Sequence, residues 1–162
     1  MLSLITLLLP LSPLAARAPS SLYPIKTRAS NLPTFSLDWN DQQLCGSHTY
    51  GVYDNLDGGR ARLTDCEEIA QWAYDNTGSW TVPQSLYSNY AALYTAQTCV
   101  LWVKTNSSAT TVGNADIYHF INDVINGTDS DHLSQRGSMA GCGGNYNSSS
   151  VDLILSTGFI GE

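Results

Sequence analysis

The chain is poor in positive charge: its 162 residues hold seven Lys and Arg against 14 Asp and Glu, a net charge of −7. Such an acidic body repels phosphate backbones and anionic headgroups, which excludes nucleic acid and an anionic membrane surface as electrostatic partners. Closely spaced cysteine pairs of the CxxC type are absent, as are HExxH and paired histidines, so the spacing that holds zinc is missing. No metal and no cofactor is expected. A GxSxG elbow is also lacking: Gly137-Ser138-Met139-Ala140-Gly141 sets its serine one place early and reads as a strand of small residues. Gly141-Cys142-Gly143-Gly144 lacks the Lys and Ser/Thr of a phosphate loop and reads as turn chemistry. Long apolar runs are scarce. Leu2 to Leu14 is interrupted by Pro10 and Pro13 and falls short of the roughly 20 residues a spanning helix needs, so no stable membrane insertion is expected.

That apolar run is followed by Ala15-Ala16-Arg17-Ala18, and residues 1–18 read as a secretory signal peptide. Residues 19–41 carry Pro19, Pro24 and Pro33 among Ser, Thr and Asn and read as a flexible leader or propeptide. Within it Phe35, Leu37 and Trp39 alternate, which leaves an edge strand as the second reading. Trimming after Arg28 would leave Arg60, Arg62, Lys104 and Arg136 against all 14 acids, a net of −10. Cys45, Cys66, Cys99 and Cys142 form an even set at wide spacings, the pattern of two disulfides in a secreted chain. Three connectivities are possible. We favour Cys66 to Cys99 with Cys45 to Cys142, which in the chain-entropy model would stabilise by roughly 3.7 and 4.7 kcal/mol. Sequons at Asn106, Asn126 and Asn147 fit a glycoprotein of the secretory pathway.

The strongest elements are a half-buried strand from Thr98 to Lys104 and a helix from about Ala115 to Asn126. In the helix Ile117, Phe120, Ile121, Val124 and Ile125 fall at i, i+3, i+4, i+7 and i+8, one apolar stripe that must lie on something. Asn114 is the expected N-cap, Asp116 suits the dipole in the first turn, and Gly127 is placed for a left-handed C-cap. Before these, His48 to Tyr53 suggests a strand ending at Asp57-Gly58-Gly59. Thr64-Asp65-Cys66-Glu67-Glu68 opens a first helix with two overlapping capping boxes, Thr64 with Glu67 and Asp65 with Glu68. Its buried face is Cys66, Ile69, Ala70 and Ala73, and Asn76-Thr77-Gly78 ends it. Ser79 to Val82 reads as a strand, and Ser85 to Ala96 is ambiguous because Tyr87, Tyr90 and Tyr94 have helical spacing. Gly137 to Cys142 and Val151 to Leu155 close the chain as strands. Without βαβ alternation the class is α+β: a small two-layer sandwich, an antiparallel sheet with both helices on one face, stapled by disulfides.

Two groups of residues are candidates for function. Asp116 and His119 share a helix face at i, i+3, and Asp123 lies four residues beyond His119, so either carboxylate could orient the imidazole for acid/base work. The competing reading places them on the solvated side of the helix. Glu67 and Glu68 are adjacent, diverge on a helix and cannot flank one glycosidic bond. Trp80, Tyr87, Tyr90 and Tyr94 are the cluster that could stack on sugar rings, with core packing as the alternative.

The ordered set of Cys45-Gly46, Asp65-Cys66 with Ile69, Trp80, Thr98-Cys99-Val100, Gly113 through Asp116-Ile117, Gly137 to Cys142 and Val151 to Leu155 resembles the fungal extracellular-protein-two effector family, described also as candidate necrosis-inducing factors. The resemblance covers about Cys45 to Leu155 and implies an effector domain over 42–162, similar in layout to the small α/β-sandwich killer toxins of fungi. It carries over no catalytic residues. It implies a secreted extracellular protein that is not an enzyme and binds an unidentified host or competitor component. A wall protein binding cell-wall glycan, or a small hydrolase centred on His119, are the alternatives. Two departures stand out: the stretch between Gly143 and Ser150 is unusually rich in Asn and Ser and carries a sequon, which puts in doubt any interaction that relatives make there, and the leader to Asp41 has no counterpart in the family's motif.

Overall fold

In the computed structural model the described residues are 32–52, 59–84, 90–105, 108–143 and 149–158. The signal peptide, the leader up to residue 31, Tyr53, Asp57-Gly58, Tyr87, Asn106 and Asn147 lie outside them.

The body is a five-stranded antiparallel sheet made of β2 (Ser47–Val52), β9 (Gln135–Cys142), β10 (Ser149–Ser156), β6 (Cys99–Thr105) and β5 (Ala91–Ala96), side by side in that order. In register, Leu101 faces Leu155 and Val103 faces Leu153, which in turn faces Gly137. With period two, Cys99, Leu101, Val103 and Thr105 of β6 all point to one side, and all are buried.

Two helices cover that side. α1 (Leu63–Asp75) is tied to it by the Cys66–Cys99 disulfide, and α2 (Asn114–Asn126) lays Phe120 against Gly137. The spacing of their apolar residues explains the docking. Cys66, Ile69, Ala70 and Ala73 of α1 and Ile117, Phe120, Ile121 and Val124 of α2 are all buried. Each of the larger side chains contributes roughly 1.5 to 3 kcal/mol relative to exposure. Gly137 is required at the contact: a Cβ there would lie 2.4 Å from both the Phe120 ring and the Thr49 carbonyl oxygen. The second disulfide joins Cys45 to Cys142 and fixes the segment entering β2 to the end of β9. The fold is therefore α+β, with two helices and two disulfides.

Where one sheet was expected, two smaller antiparallel sheets stand apart from the five-stranded one, and the strand read over Ser79 to Val82 belongs to the first of them. β4 (Gly78–Val82) is flanked by β1 (Thr34–Leu37) and β7 (Thr110–Gly113), and β3 (Ala61–Arg62) pairs with β8 (His132–Leu133). Part of the stretch read as a flexible leader is thus an edge strand. Phe35 turns inward against Trp72 and Trp80, while Leu37 and Trp39 are exposed. The Tyr-rich stretch from Ala91 onward is a strand, not a helix, because pairing with β6 across a bulge between Ala92 and Tyr94 satisfies its backbone.

The helix ends also differ from their sequence signals. Gly113, not Asn114, is the N-cap of α2, because the Asn114 side chain is buried and used elsewhere. Its Oδ1 accepts the N–H of Gln42 at 2.8 Å and of Gly78 at 3.2 Å, and its Nδ2 donates to the Ala73 carbonyl at 3.1 Å and to Asp41 Oδ1 at 2.8 Å. One amide thereby joins the end of α1, the start of β4 and the chain leading to β2. Gly127 has φ −90°, so α2 does not end in a left-handed cap. In α1 the cap is Arg62 without a side-chain bond, in place of the two capping boxes. Asp65 instead accepts the Thr98 backbone N–H at 3.0 Å and the Thr98 hydroxyl, holding β6 to α1 beside the disulfide.

Candidate functional site

A cleft of about 100 Å³ opens between the start of β2 and the first turns of α2. It is lined by Gln43, Cys45, Gly46, Ser47, His48, Asp116, His119 and Met139. The Cys45–Cys142 bridge and the capped start of α2 form its rigid frame. His48 stands opposite Met139 in the β2–β9 register, which turns its ring toward α2, edge-on to Phe120 with centroids 6.4 Å apart. There its Nε2 meets Asp123 Oδ2 at 2.5 Å.

Asp116 is the buried charge of the cleft, 5% exposed. Its Oδ2 accepts three backbone N–H groups, from Leu44 at 2.8 Å, Gly113 at 2.9 Å and Cys45 at 3.1 Å. Burial pushes its pKa up, and the three amides and the nearby His119 pull the other way. The expectation of a solvated Asp116 is corrected: the carboxylate turns under the helix start and fixes the backbone that enters β2. His119 is exposed and packs edge-on to Tyr118. The structure brings Asp116 and His119 to one cleft but gives them no mutual hydrogen bond among the described residues, and Asp123 pairs with His48 rather than with His119. The sequence reading missed His48. Nothing local could have found it, since its partner lies 75 residues away.

The aromatic candidates do not form one exposed platform. Trp80 is 2% exposed and belongs to the core, packed on Phe35 and Trp72 with centroids 4.6 and 5.5 Å away, so it is corrected from stacking residue to structural residue. Tyr94 is half-buried and stacks on Trp72 at 4.4 Å, whereas Tyr90 lies under the Lys104 ammonium at 5.5 Å from its ring centre. Burial raises the Tyr90 pKa. Phe35, Trp72 and Tyr94 form the half-exposed stack, where edge strands β1 and β5 approach α1. Of the sequons, Asn126 is exposed at the last position of α2.

No helix among the described residues is long and apolar enough to cross a membrane, and no group of three or more His, Cys, Asp or Glu among them could hold a metal ion. No curated protein matches the chain. Residues 44–142, more than half of the chain, match the Hce2 family model, described as "Pathogen effector; putative necrosis-inducing factor". This span runs through both disulfides, both helices and every residue of the cleft except Gln43. By that match the chain belongs to the Hce2 family of pathogen effectors.

Proposed function

We propose that the protein is secreted and acts outside the cell as an effector that binds a host or competitor component, with no catalysis of its own. The observation that carries this reading is the match to a pathogen-effector family over the disulfide-closed domain. Cross-links of this kind persist in oxidising, extracellular surroundings. The geometry around His119 supports binding over hydrolysis, because neither Asp116 nor Asp123 is hydrogen-bonded to its imidazole: Asp116 Oδ2 holds backbone amides and Asp123 pairs with His48. Infiltration of the purified, oxidised protein into host tissue tests it, together with growth assays on competing microbes and deletion of the gene. Cell death, growth inhibition or altered virulence supports the reading; none of the three refutes it.

Glycan binding is a second reading, and the half-exposed Phe35, Trp72 and Tyr94 stack favours it, since sugar rings stack on such faces. A pull-down on chitin, glucan and mannan decides it. Retention that is lost in Trp72→Ala supports the reading, and failure to bind any of the three removes it.

A further inference from the structure

The cleft between β2 and α2 is unusual in its charge. Asp116 Oδ2 takes all three backbone amides, while Oδ1 of the same carboxylate takes no hydrogen bond from any described residue. Oδ1 is not among the fully buried polar atoms that lack a partner, so solvent reaches it, and a polar group entering the cleft that Asp116 lines can do the same. The rest of the lining supplies Ser47, Gln43 and the imidazoles of His48 and His119, with neither Lys nor Arg among them. Asp123, on the far side of His48, adds a second carboxylate. The net charge of −7 draws cations toward the whole body.

The geometry points to a binding site for an alkylguanidinium or alkylammonium group, whose N–H donors reach Asp116 Oδ1 at the floor of the cleft while Ser47 and Gln43 accept at its rim. About 100 Å³ has room for several water-sized groups, enough for such a head and its first methylenes. The Met139 thioether and the Cys45–Cys142 bridge provide apolar wall for those methylenes. The side chain of an Arg or Lys on a partner protein and a free polyamine share this chemistry.

Gly46 gives a steric test. Its φ is not positive, and a Cβ there would meet nothing closer than the Ala140 carbonyl oxygen at 3.7 Å, so Gly46→Phe adds bulk at the lining without backbone strain. The experiment is an amide NMR titration of the oxidised protein with agmatine, with the tripeptide Gly-Arg-Gly blocked at both ends, and with blocked Gly-Glu-Gly. Agmatine is expected to shift the amides of Gly46, Ser47, His48 and His119. Parallel shifts with the Arg peptide show that a protein side chain can reach the floor, and shifts with agmatine alone assign the site to small free amines. Asp116→Asn keeps an oxygen for the three amides and removes the charge, and is expected to weaken binding roughly tenfold or more. Should that variant not fold, Gly46→Phe carries the test. No shift with either cation, equal shifts with the Glu peptide, or unchanged binding in folded Gly46→Phe overturns the proposal. None of these outcomes depends on whether the protein provokes a host response.

Discussion

Replacing Asn114 by alanine isolates the junction on which the fold depends. The side chain makes four hydrogen bonds, to Gln42 N, Gly78 N, Ala73 O and Asp41 Oδ1, and is 1% exposed. A net contribution of about 1 kcal/mol per bond puts the loss at roughly 3 to 4 kcal/mol, since alanine leaves the Gln42 and Gly78 amides and the Ala73 carbonyl without these partners. That is a large part of the roughly 5 to 15 kcal/mol by which a domain is stable. Asn122→Ala is the control, because Asn122 makes one bond, to the Tyr118 carbonyl on its own helix, and should cost about 1 kcal/mol or less. Urea unfolding of both variants, with disulfides intact, measures the difference. If Asn114→Ala costs no more than Asn122→Ala, the amide does not join α1, β4 and the chain entering β2, and the reasoning fails.

Three further comparisons test other parts of the structure. Gly137→Ala forces a Cβ into the Phe120 ring and the Thr49 carbonyl and should cost about 1 to 3 kcal/mol, whereas Gly46→Ala should stay within about 0.5 kcal/mol; thermal melts that rank them the other way reject the packing. The Thr98 hydroxyl and amide hold the pKa of Asp65 below its usual 3.8, so the stabilisation is present above pH 3.8 and is lost as pH falls through the lower, folded value. Asp65→Asn should therefore be less stable than the parent above pH 3.8 and converge with it in stronger acid; a constant gap across that range refutes the assignment. Removing the Cys66–Cys99 bridge by a double Ala substitution should cost roughly 3.7 kcal/mol in the chain-entropy model, read as a lower urea midpoint, and an unchanged midpoint contradicts it.

How much of this was legible in the sequence depended on whether the cause was local. The stripe of Ile117, Phe120, Ile121 and Val124 placed α2 within a residue of its start, because one helix face carries its own period. Strand β6 was legible for the same reason. Asn114 and Asp65 misled because short polar side chains suit helix caps, yet here they satisfy backbone groups more than 30 residues away. β7 was unread: four residues after a Ser-rich connection form a strand only because β4 lies alongside. At the cleft, Asp116 and His119 were visible as an i, i+3 pair. The burial of Asp116, the arrival of His48 and the free Asp116 oxygen all come from how β2 crosses the start of α2.

An extracellular effector requires a stapled domain that reaches the cell exterior. Intact mass and peptide mapping of the protein recovered from culture filtrate, before and after reduction and deglycosylation, test this directly. We expect a chain trimmed beyond Ala18, with peptides linked as Cys45–Cys142 and Cys66–Cys99 and glycan on Asn126. Free thiols on a chain that still begins at Met1 and stays inside the cell would contradict the extracellular effector.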